Sequence, residues 1–237
     1  MQSSQRSPAA QAAAVALQVW VRAKARLCAL WQAAASMRIG IVVFDRVDLL
    51  DVGGPYEVML TASRLARRDG APEPFEVITL GLTTAGVAAY GGLGLVPQFA
   101  LEDAVGLDLL VIPGAVEIDR VLADATLIEA LGALAAGVPI VASVCTGAFI
   151  LQALGLLTER DWTTHWEDID ALGRRAQRPG SPRVRWVDSG EVITAGGLSS
   201  GIAMALHLVD RFAGRELALR TAHQLEYCWD PSGAVAP

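Results

Sequence analysis

Cys145 ends an apolar, β-branched run, PIVASV, and opens a helix-like stretch, TGAFILQALGLL. Small residues flank it two positions before, at Ser143, and two after, at Gly147. A strand that turns sharply into a helix needs small neighbours on both sides of its apex, and the turn lifts the apex side chain out of the sheet. At a helix N-terminus the positive end of the dipole and the free backbone N–H groups favour a thiolate. The spacing therefore predicts a nucleophile at Cys145. The competing reading is a free cysteine packed as a small hydrophobe. Cys28 and Cys228 have no neighbourhood that would activate a thiol.

Other residues have the right types to assist. Asp51, in DLLDVGGPYEV, is placed either to cap the following helix or to hold and relay a proton beside the thiol. Gly114 and Ala115 follow an apolar run in VIPGA, where a turn aims backbone N–H groups across the strand ends. With the N–H of Thr146 they are candidates to stabilise a developing negative charge; the alternatives are an ordinary strand exit and a helix-start threonine. His165, in TTHW, and His207, on an apolar stripe with Met204, read as structural histidines. No histidine adjoins Cys145, so the sequence contains no local Cys–His pair.

The elements that must position these residues alternate in type. Strands are expected over 38–44, 75–81, 108–114 and 139–144, with a hairpin or irregular extension at 87–97. Helices are expected over 51–67, entered through Gly53, Gly54 and Pro55, over 118–136, and over 199–227 with a break near Gly214. Residues 184–197 read as a β-hairpin around Asp188, Ser189 and Gly190. The alternation predicts an α/β fold: a doubly wound, flavodoxin-like, mostly parallel sheet with helices on both faces. Ligands of such sheets bind beyond the carboxyl ends of the strands, where Asp51, Gly114 and Cys145 all fall.

Composition narrows the classes of function. The 237 residues are 53% hydrophobic and carry a net charge of −6, which gives no basic footprint for nucleic acid. Aromatic residues make up 6%, too few for a single-strand stacking platform. Three widely spaced cysteines suit neither a disulfide framework nor a zinc site, and a reducing, cytoplasmic compartment is the default expectation. No run is long enough without charge to span a bilayer. Residues 1–36 hold no acidic residue and are rich in alanine, with Arg6, Arg22, Lys24 and Arg26. They read as a targeting peptide, as an amphipathic docking helix, or as a tail added to a domain that begins at Met37, the favoured reading. One domain is expected over 37–237.

Together, DLLDVGGPYEV, VIPGA, SVCTGAFILQALGLL, TTHW, ITAGGLSSGIAMALHL and QLEY resemble the ThiJ/PfpI superfamily, and within it the isonitrile hydratases. The resemblance implies a cofactor-independent hydro-lyase that turns an isonitrile into an N-substituted formamide. Cys145 would be the nucleophile, Asp51 the acid/base and Thr146 a supporting donor. It also implies a small-molecule substrate, no metal and a homodimer. Thr146 stands where protease members carry histidine, and Asp51 where deglycase and glyoxalase members carry glutamate. Two further departures are Ala115, at a usual glycine, and Ala203, at a usual acidic residue. AraC-type regulators share these motifs ahead of a helix-turn-helix module. No basic reader helix follows QLEY here, so the expectation is a domain without that half. A ligand- or redox-sensing domain, and a glyoxalase- or deglycase-type activity, are the alternatives.

Overall fold

The computed structural model describes residues 36–235. The readings of the N-terminal segment fall outside these residues, save its last residue, Ser36. Five strands rich in Val, Ile and Leu build the parallel part of the sheet: β1 (Met37–Val42), β2 (Phe75–Gly81), β6 (Leu109–Ile112), β7 (Ile140–Val144) and β9 (Val192–Ala195). Continuous apolar runs are what strands covered on both faces require. Ile39, Leu110, Ala142 and Ile193 are fully buried. A short strand, β5 (Phe99–Ala100), extends one edge, and β8 (Trp186–Asp188) closes the other, antiparallel to β9. The order is β5-β2-β1-β6-β7-β9-β8. Two-residue strands β3 (Val87–Ala88) and β4 (Gly94–Leu95) form the small hairpin expected in that region.

Helix α1 (Leu49–Arg68) begins two residues earlier than the sequence suggests. Its N-cap is Asp48, so Asp51 lies inside the first turn, and Gly53, Gly54 and Pro55 are helical. Pro55 lacks the N–H that would bond back to the carbonyl of Asp51, so the second turn of α1 is one hydrogen bond short. A Cβ on Gly54 would sit 3.0 Å from the side chain of Ile202, so glycine lets α1 lie close on α6 (Ser200–Ala213). Gly214, at φ 95°, separates α6 from α7 (Arg215–Gln224), as its position in the sequence suggested.

The expected helix over 118–136 is two: α2 (Ile118–Ala123) and α3 (Ala125–Ala135). Asp124 causes the break, because its Oδ1 accepts the N–H of Leu127 at 3.1 Å and caps the second helix. After β7 come α4 (Gly147–Ala153) and α5 (Ile169–Ala176), the latter not anticipated from sequence. Strand order reverses between β1 and β6, and Asp51, Gly114 and Cys145 gather at that reversal and its neighbour β7. No helix among the described residues is long and apolar enough to cross a membrane.

Candidate active site

Cys145 sits between β7 and α4 with φ 55°, the left-handed region that a non-glycine residue rarely adopts. Backbone contacts hold it there. Its N–H is shared between the carbonyls of Ala195 at 3.1 Å and Gly196 at 3.0 Å, and its own carbonyl accepts the hydroxyl of Thr164 at 2.8 Å. The small neighbour at 147 is required by space: a Cβ there would lie 2.3 Å from the carbonyl oxygen of Ile112. The elbow thus presses against the end of β6.

That contact brings the VIPGA turn to the thiol. Asp51 is fully buried, and its Oδ2 accepts the N–H of Gly114 at 3.1 Å. Its Oδ1 makes no close hydrogen bond; the Cys145 thiol and the Leu198 N–H face the carboxylate at longer range. Asp51 is therefore not the cap of its own helix but a bridge from α1 to β6. Thr146 occupies the N-cap position of α4 without capping it. Its Oγ1 accepts the N–H of Ala115 at 2.9 Å and donates to the carbonyl of Ala115 at 2.8 Å. Of the three N–H groups proposed to await a negative charge, those of Gly114 and Ala115 are thus already engaged, because a buried carboxylate and a buried hydroxyl both need partners. The N–H groups of Thr146 and Leu198 face the sulfur of Cys145. A Cβ on Gly114 would meet the Thr146 N at 2.7 Å and Asp51 Oδ2 at 3.0 Å, so only glycine fits the turn.

The electrostatics correct the expectation of a standing thiolate. Burial first, then the negative charge of Asp51, push the Cys145 thiol up to about 12, against the opposing pull of the Thr146 N–H. A seven-residue helix contributes too little dipole to reverse this. Burial, and next the charge of Asp48, raise Asp51 to about 7, while the Gly114 N–H pulls it down. The two groups titrate as one unit, and near neutral pH it holds a thiol facing a carboxylate that is readily protonated.

Two contributors escaped the sequence reading. Leu198 sits at φ 47° in the AGGLSS turn, which aims its N–H at both the Cys145 sulfur and the Asp51 carboxylate. Asp48 stands three residues before Asp51, on the same face of the first turn, and that spacing was the available signal. Burial raises the pKa of Asp48 against the pull of the Leu50 N–H; His165 lies nearby and also lowers it. The His165 ring fills the space above Gly197, where a Cβ would lie 2.2 Å from the ring. His207, by contrast, pairs with Asp188 at 2.7 Å and stacks on Trp186, away from these groups, the structural role expected of it. Ala203 is buried on α6, and its carbonyl accepts the Trp229 indole N–H at 3.1 Å. No cluster of potential metal ligands occurs among the described residues.

The sequence model of the DJ-1/PfpI family matches residues 37–211. The chain belongs to the DJ-1/PfpI family. An isonitrile hydratase of Pseudomonas putida is 32% identical over 200 residues, covering 83% of this chain and 81% of that protein. The transcriptional regulator GbdR of Pseudomonas aeruginosa is 29% identical over 190 residues, covering 80% of this chain and 50% of its own length, so the chain spans about half of that relative. The crystal structure of a ThiJ/PfpI family protein from Pseudomonas syringae superposes with a TM-score of 0.72 at 24% identity, covering 83% of this chain and 77% of that one. As a DJ-1/PfpI member the chain shares its fold with both enzymes and regulators, and the chemistry has to be argued from the site.

Proposed function

We propose that this protein hydrates isonitriles to N-substituted formamides. The observation that carries the reading is the Cys145 thiol facing a buried Asp51 carboxylate whose second oxygen is unengaged. Cys145 is only 7% exposed, so the electrophile has to be slender. The terminal carbon of an isonitrile, at the end of a linear group, meets that demand. The similarity to an isonitrile hydratase supports the same reaction.

Sulfur attacks the terminal carbon while Asp51 takes the thiol proton, then returns it to that carbon, leaving a thioimidate on Cys145. The N–H groups of Thr146 and Leu198 hold the charge that builds on sulfur during the transfer. Water adds to the same carbon, giving one proton to Asp51 and one to nitrogen. The C–S bond then breaks, sulfur recovers its proton from Asp51, and the formamide leaves. One isonitrile and one water give one formamide, with no change of oxidation state in the protein.

Incubation with cyclohexyl isocyanide, followed by mass spectrometry, should yield N-cyclohexylformamide with the native protein and none with Cys145→Ala. If no formamide forms, a ligand-sensing domain of the kind suggested by the regulator relative becomes the better reading. Sedimentation equilibrium tests the homodimer that belongs to the same proposal.

A further inference from the structure

A cavity of about 550 Å³ shares its wall with the site: Thr164, which bonds the Cys145 carbonyl, and Leu198, whose N–H faces the sulfur, both line it. Its other walls come from the start of α5 and from the turn at 183–185 that precedes β8, against which residues 233–235 lie. Arg185 N–H donates to the Gly233 carbonyl at 2.6 Å, and Val235 N–H to the Arg183 carbonyl at 3.3 Å. The lining includes exposed apolar groups, among them Trp166, 76% exposed, and Val235, 42% exposed. Two guanidinium groups, of Arg183 and Arg185, stand in the same lining.

These arginines differ from most others in the protein. Arg120, Arg175, Arg178, Arg211 and Arg215 each lie within 4 Å of a carboxylate. Among the described residues, Arg183 and Arg185 have no such ion pair; Arg185 makes only a 3.4 Å contact to the hydroxyl of Ser199. Asp170 also lines the cavity and pairs with neither, so the lining keeps a net positive charge. Arg185 is half-buried, which strengthens its attraction for an anion over that of a fully solvated side chain. Guanidinium forks bind carboxylates in a bidentate way.

We propose that this cavity binds the remote end of the substrate, and that this end is a carboxylate: the substrate class is an isocyano carboxylic acid. Its acid group rests on Arg183 and Arg185, its hydrocarbon body on Trp166 and Leu198, and its isonitrile carbon reaches Cys145 past residue 198. The substrate class rests on the isonitrile-hydration reading; the anion site does not.

Two measurements separate the two. Hexanoate and hexanamide, which cannot react, are titrated against the fluorescence of the native protein, with Trp166→Phe identifying the reporting ring. Hexanoate should bind about tenfold or more tightly than hexanamide, and added salt should weaken it. Arg183→Gln/Arg185→Gln should erase the preference while leaving hexanamide binding and the far-ultraviolet spectrum unchanged. Equal binding of the two probes, or a preference that survives the double substitution, overturns the anion site whatever the enzyme does with isonitriles. In turnover, 5-isocyanopentanoate should exceed its methyl ester in kcat/KM by a similar factor, and the double variant should level the two. Absence of formamide from both would overturn the hydration reading, and the isocyano substrate class with it, while the hexanoate result decides the anion site.

Discussion

The carboxylate of Asp51 crosses from α1 to take the N–H of Gly114 at 3.1 Å, in full burial. One close donor, with the Cys145 thiol and the Leu198 N–H at longer range, is a small return for removing a charge from water, and burial, with the Asp48 charge next, raises the pKa to about 7.

That imbalance has a sign in stability. Asp51 is raised from its ordinary 3.8 to about 7, so the folded state holds the proton more tightly than the unfolded chain does. This contribution is complete below about pH 4 and is lost as pH rises through about 7. Asp51→Asn keeps an oxygen for Gly114 but carries no charge. Urea unfolding at pH 8 should find the variant more stable than wild type, by roughly 2–4 kcal/mol, with the difference shrinking towards pH 4. A variant that is less stable at pH 8 would show that the buried charge is well compensated.

Turnover should follow the same group in the opposite direction. The carboxylate, not the acid, takes the thiol proton, so kcat/KM should climb between pH 5 and pH 8 with an apparent pKa near 7. It should then stay level to pH 9 or above, since the thiol is pushed up to about 12. Asp51→Asn should lower turnover by at least about a hundredfold. A profile that is flat across pH 7 would remove Asp51 from the proton transfer.

Alkylation should not pick out Cys145. Cys145 is buried and held as a thiol, while Cys228 is exposed. Iodoacetamide at neutral pH, read by peptide mapping, should modify Cys228 before Cys145. Prior modification of Cys145 would mean that the free site opens further than this arrangement allows.

Two glycines give a matched pair of tests. A Cβ at 147 would press on the Ile112 carbonyl at 2.3 Å, whereas at 53, inside α1, it would meet nothing within 4 Å. Gly147→Ala should destabilise the protein by about 1–3 kcal/mol or more and reduce turnover, because the turn that leaves β6 holds Gly114. Gly53→Ala should stabilise it by about 0.5–1 kcal/mol with turnover unchanged. Thermal scans and initial rates on both variants check this.

The parts legible in the sequence are those set by local pattern. Continuous apolar runs located the strands, the Asp188–Gly190 turn located the β8–β9 hairpin, and Gly214 located a helix break. Ser143 and Gly147 marked the elbow, and at 147 the crossing with the end of β6 leaves no room for a Cβ. What remained hidden depends on distant contact. Leu198 serves through its peptide group, so its side-chain identity carries no signal. The thiol's protonation follows from burial and from a carboxylate 94 residues away in sequence, which outweigh the helix start beside it. Asp124 ended a helix through one side-chain bond inside an otherwise helical run.

The seat of Cys145 is built almost wholly from main-chain groups. Gly196 gives its N–H to the Arg185 carbonyl, and its own carbonyl receives the N–H of Cys145. Peptide groups persist when side chains are exchanged. Substitution of the side chains at 183 and 185 therefore leaves the main-chain seat of the thiol in place, and what the proposed cavity site admits is separable from how Cys145 is held. On the proposed function, a change at Cys145 or Asp51 removes catalysis while the lining stays intact, a route by which a scaffold of this kind comes to serve as a receptor.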